Sequence, residues 1–91
     1  MFRLWSMQWK DNHMISDILI LDDTDHKRTK KVLDALEKTC IELDLPIPIW
    51  LDNNIREFQL HAKTRFRQDN FMETIPFDFL EIQVIEEDDF V

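Results

Sequence analysis

The chain has no glycine, no tyrosine and one cysteine, and only 11 lysines and arginines stand against 19 aspartates and glutamates. Each shortage excludes something. Without glycine, the phosphate-cradling loops of nucleotide-binding proteins and the sharp nucleophile turn of serine hydrolases have no sequence to form them. Any backbone position needing a positive φ falls to asparagine or aspartate, and Asn12, Asn53, Asn54 and Asn70 are the candidates. A lone cysteine permits no internal disulfide, and Cys40 is expected to be a buried, inert thiol. A net charge of -8 argues against direct binding to a nucleic-acid backbone. The longest uninterrupted apolar run, Ile18 to Leu21, falls far short of the roughly 20 residues of a membrane span. The opening MFRLWSMQWKDNH also lacks the apolar core and cleavage site of a signal peptide. A cytoplasmic protein with no membrane partner is the expectation.

What is present is a folded composition. Of 91 residues, 44% are hydrophobic, with three tryptophans and seven phenylalanines, so residues 1–91 are expected to form a single domain with one core. The clearest periodicity lies in Thr24 to Asp44. Val32, Leu33, Leu36, Cys40 and Leu43 recur at spacings of three and four, and Lys30, Asp34, Glu37, Lys38 and Glu42 fall largely opposite, which predicts a helix with one face to bury. Thr24 or Asp25 is the expected N-cap, and Pro46 stops the helix by Leu45. A second helix is predicted from about residue 53, where Asp52, Asn53 and Asn54 offer caps and Ile55, Phe58, Ala62 and Phe66 keep helical spacing. It ends either near His61 or at Phe66, because Thr64 to Arg67 also alternates like a strand.

Three stretches read as strands. Residues 2–9 place Trp5, Met7 and Trp9 on one side and Phe2 and Leu4 on the other, and Met14 to Leu21 can pair with them across a turn at Lys10 to His13. Phe79 to Ile85 alternates, with Leu80, Ile82 and Val84 on one side, and the carboxylates from Glu86 to Asp89 form a charged tail that discourages edge pairing. The expectation is an α+β, two-layer domain: a largely antiparallel three-stranded sheet, in the order ββααβ, with two helices packed on it.

Catalytic signals are weak. Asp22, Asp23, Asp25 and His26 bring three carboxylates and an imidazole within five residues, the kind of oxygen-rich group that hard cations take, but the glycine and terminal glutamate of an EF-hand loop are missing. His13, His26 and His61 show no zinc spacing. No cofactor site is expected, and nothing supports nucleophilic catalysis through Ser6, Ser16 or Cys40. Arg56, His61, Lys63, Arg65 and Arg67 alternate with Phe58, Phe66 and Phe71 in a way that can hold single-stranded nucleic acid, though the phenylalanines fit a buried face equally.

The segment PIWLDNNIREFQLHAKTRFRQDNF followed by IPFDFLEIQVIEED, together with FRLW and KDNH near the start, resembles a group of small uncharacterised bacterial proteins. The resemblance implies a compact stand-alone bacterial domain and carries no activity or ligand with it.

Three readings of function follow. The first is a non-enzymatic domain acting through a protein partner or self-association, possible as a homodimer, with Trp5, Met7 and Trp9 as the surface if the sheet leaves them uncovered. The second is an acidic inhibitor or mimic that occupies a nucleic-acid-binding protein through the carboxylates of residues 11–25 and 78–89. The third is a small metal-dependent enzyme built on Asp22, Asp23, Asp25 and His26.

Overall fold

The structure, a computed structural model, describes residues 1–87. Strands β1 (Phe2–Lys10) and β2 (His13–Asp22) form an antiparallel hairpin whose two turn residues, Asp11 and Asn12, have φ of 51° and 63°. Positive φ at both central positions gives a turn whose twist matches that of the strands. Asn12 thus takes the role its residue type suggests, and Asp11 shares it. The other left-handed residues are Asp44 and Ala62, not Asn53, Asn54 or Asn70.

Helix α1 (Arg28–Leu43) begins later than the sequence suggests. Its N-cap is Lys27, with no side-chain cap, and Thr24 and Asp25 lie before it. The reason is local: the Asp22 carboxylate accepts the Thr24 N–H at 2.8 Å and the Thr24 hydroxyl accepts the His26 N–H at 3.4 Å. Side chains so engaged hold the backbone in turns and postpone the helix. The buried stripe runs through Val32, Ala35, Leu36, Thr39 and Cys40. Leu33, expected on that stripe, is 48% exposed, because it sits about 90° round the helix from the stripe's centre.

Helix α2 (Asp52–His61) takes the nearer of its two expected ends, at His61 and short of Phe66. Ala62 caps it with φ 55°, and the chain then enters a strand, β3 (Lys63–Phe66), which pairs antiparallel with β4 (Phe79–Glu86). The sheet therefore has four strands, ordered β2-β1-β4-β3, and the expected three-stranded ββααβ arrangement is corrected to ββααββ. Helical spacing misled here because Phe66 is buried by either geometry; the ladder to β4 decides for the strand, burying Thr64 and Phe66 in alternation. A left-handed alanine costs on the order of 1 kcal/mol, and the Val84 N–H donating to the Ala62 carbonyl at 2.9 Å helps to offset it.

Alternation along the strands gives the sheet two unlike faces. One presents Leu4, Ser6, Ile20, Leu80, Ile82, Val84, Thr64 and Phe66, and both helices pack there, so that Val32, Leu36, Cys40 and Phe58 complete a core with Phe71, Ile75 and Phe77. A buried hydrogen bond of 2.9 Å between the Ser6 and Thr39 hydroxyls ties β1 to α1. Among the described residues no helix covers the other face.

The long connectors are held by a buried polar network. Asn54 accepts the Leu51 N–H at 3.0 Å and donates to the Thr64 hydroxyl and the Arg65 carbonyl, both at 3.0 Å. Asn70, in a short 3-10 turn (Gln68–Asn70), accepts the Arg67 N–H at 2.9 Å and donates to Asn54 at 2.6 Å and to the Ile49 carbonyl at 2.8 Å. Both asparagines are buried and serve as crosslinks, and neither takes a positive φ. Truncating one leaves several buried partners unsatisfied, each worth about 1–3 kcal/mol. Asn54→Ala is expected to lower unfolding free energy by roughly 3 kcal/mol in urea denaturation; a loss below about 1 kcal/mol contradicts this role.

Candidate functional site

The helix-free face is built mainly from residues that alternate out of the core, and the strand register groups them into two halves. On the β1–β2 half, Trp5 lies opposite Leu19 and Arg3 opposite Leu21. On the β3–β4 half, Arg65 lies opposite Glu81 and Lys63 opposite Gln83.

The β3–β4 half is closed by its own contacts. Arg65 pairs with Glu81 at 2.7 Å and lies 4.5 Å from the centre of the Phe79 ring, while Arg67 lies 5.6 Å from that ring. Trp9 stacks on Phe79 with centroids 6.1 Å apart. Cations over an aromatic face and stacked rings engage one another there, although the buried Trp9 indole N–H has no hydrogen-bond partner among the described residues.

The β1–β2 half differs. Trp5 is half-buried, and its indole N–H donates to Asp17 at 2.8 Å, which fixes the ring. Beside it Leu19 and Leu21 are 42% and 49% exposed. Of the three residues singled out from sequence, all lie on this face, but they do not play equal parts: Met7 is only 3% exposed, Trp9 is engaged with Phe79, and Trp5 alone borders the exposed leucines. Leu19 and Leu21 escape the sequence reading because Ile18 to Leu21 is apolar on both sides of the strand. Such a run signals either a strand buried on both faces or one exposed apolar side, and the hairpin's place at the sheet edge decides for the second.

The remaining candidates separate. Asp22, Asp23, Asp25 and His26 run from the end of β2 into the turn before α1, and among the described residues no three His, Cys, Asp or Glu side chains come together to hold a metal ion. Hydrogen bonds from Thr24, chiefly from its side chain, hold the Asp22 carboxyl below its usual pKa. His13, His26 and His61 are exposed in separate parts of the chain. Phe58, Phe66 and Phe71, expected either in the core or interleaved with the basic run, are core residues. The carboxylates of Glu81, Glu86 and Glu87 pair with Arg65, Arg3 and Arg28, which neutralises much of the second acidic block; Asp88 and Asp89 lie outside the described residues.

A cleft of about 290 Å3 also opens between the helices, walled by Val32, Leu33, Trp50, Ile55 and Phe58. Arg28 at its rim is already paired with Glu87 at 2.5 Å and stacked over Phe58 at 5.1 Å. The cleft has apolar walls and no free charge to orient a ligand.

Cys40 is 1% exposed, and burial pushes its thiol up to about 11, so it stays protonated and unreactive at neutral pH. The folded-state value lies above the 9.0 of an unperturbed thiol, so its contribution to stability is intact below pH 9 and is lost as the pH rises toward 11. Two pKa units correspond to roughly 2–3 kcal/mol. Between pH 8.5 and 11 the parent is expected to lose about that much more stability than Cys40→Ala, by denaturant titration at each pH; parallel losses refute it.

No protein-family model matches the chain, and comparison with curated proteins and with solved structures finds no match either.

Proposed function

We propose that this chain is a non-enzymatic bacterial domain of the cytoplasm that works through contacts with other protein, self-association among them, using the β1–β2 half of its helix-free sheet face. The observation that carries the reading is the apolar group Trp5, Leu19 and Leu21, which no element among the described residues covers and which keeps two leucines 42–49% exposed. Contiguous exposed apolar surface on an acidic, otherwise charge-studded molecule marks an interaction site, and a rigid half-buried tryptophan at its border is the type of side chain that anchors one. The reading replaces the original trio of Trp5, Met7 and Trp9 by a surface shifted toward the sheet edge, with Met7 supporting it from beneath.

Leu21→Lys tests the proposal without touching the core. Its side chain is exposed, so the melting temperature and far-UV circular dichroism are expected to stay within the range of ordinary surface substitutions, about 0.5 kcal/mol. Association measured by sedimentation velocity is expected to weaken at least tenfold, and in the parent it is expected to persist at high salt, because apolar contact is not screened. A variant that associates as the parent does removes this face from the account. Association that collapses in salt points instead to the charged surfaces of an acidic mimic.

A further inference from the structure

The sheet ends in two very different edges. On one side β3 is four residues long and carries Lys63 and Arg65, the short, cationic form that discourages strand addition. On the other, β2 is ten residues long, contains no proline, lysine or arginine, carries Asp17 as its one charged residue before Asp22, and among the described residues pairs only with β1. A long apolar edge of this kind is a template for another strand.

We infer that the outer edge of β2 pairs antiparallel with β2 of a second copy of this chain, joining two four-stranded sheets into one of eight. The proposal rests on the preceding reading in one respect: both require the β1–β2 half of the molecule to be uncovered.

The register follows from three constraints. A two-fold axis perpendicular to the sheet keeps the helix-covered faces of both copies on the same side, and it requires that opposed residues share a face. The β2 ladder is interrupted near Ile15, between the Ser16 and Met14 pairings, so its regular part runs from Ser16 to Asp22, seven residues with Leu19 at their centre. Centring the axis on Leu19 overlaps that whole segment. It sets Leu19 against Leu19 of the other copy, Ile18 against Ile20, and Asp17 against Leu21. Centring it on Asp17 would oppose two carboxylates, which is destabilising.

Charge favours a second copy in this orientation. At the hairpin end of β2 the charge of Lys10, the last residue of β1, is offset by Asp11, and the opposite end runs into Asp22, Asp23 and Asp25. An antiparallel pair brings this charge-balanced end of each copy alongside the aspartates of the other, whereas a parallel pair would set the aspartates against one another. Pairing also brings the two Trp5, Leu19 and Leu21 groups onto one side of the joined sheet, with each Asp17 at their border.

The test uses the full chain carrying single cysteines and a short bismaleimide linker, with Cys40 buried and unreactive as an internal blank. At the axis, Leu19→Cys is expected to give a crosslinked product of twice 11.1 kDa, because opposed residues sit about 5 Å apart. Leu21→Cys is expected to give at least tenfold less, since its two copies are offset by about 13 Å along the strands at 3.3 Å per residue. In the unmodified parent, amide hydrogen exchange within residues 16–22 is expected to slow as concentration rises. A dimer that shows neither the Leu19 crosslink nor this protection overturns edge pairing while leaving the open-face contact standing. A chain that remains monomeric at every concentration overturns edge pairing as well. Crosslinking and protection with unweakened association of Leu21→Lys uphold the edge and refute the open face.

Discussion

The pair of buried asparagines is the constraint on which the rest of the architecture depends. Asn54 and Asn70 hydrogen-bond to each other and, between them, hold the start of α2, the strand β3, the 3-10 turn and the connector at Ile49. The connectors between α1 and α2 and between β3 and β4 are long, and their backbone groups must find partners away from regular ladders. Two carboxamides, each able to donate and accept in fixed directions, supply those partners. With the connectors pinned, β3 is delivered to the free side of β4 and the fourth strand exists.

That fourth strand determines which surface is left for function. It gives β4 a neighbour on both sides, carries Arg65 over Phe79 and against Glu81, and so closes one half of the helix-free face with charge and stacking. Nothing equivalent happens on the other half, where β2 is the edge strand and its outward leucines face no cover. The asymmetry is a consequence of sheet order: hairpin at one margin, short cationic strand at the other. One two-layer fold thus acquires a half engaged in its own ion pair and ring contacts and a half with exposed leucines.

How far this was legible in the residues varies from element to element for physical reasons. The hairpin and β4 are written in period-two alternation, and α1 in its apolar stripe, because burial on one face imposes those spacings directly. The start of α1 misleads because the side chains of Asp22 and Thr24 accept the N–H groups of Thr24 and His26, short of the helix. The boundary between α2 and β3 is illegible because alanine is an unexpected left-handed cap and Phe66 satisfies both periods. Asn54 and Asn70 look like turn residues in sequence, and only the packing shows them as crosslinks. Of the candidate site, Trp5 was visible from alternation alone. Leu19 and Leu21 were not, since knowing that they are exposed requires knowing that both helices lie on one face and that β2 is an edge.

A native mass spectrum of the untagged protein taken from its own cells tests the central claim most directly, because it reports subunit number, bound metal and retained protein together. The account predicts a dimer or a complex with another protein, free of metal. A bare 11.1 kDa monomer, or a monomer carrying a stoichiometric metal ion, contradicts it.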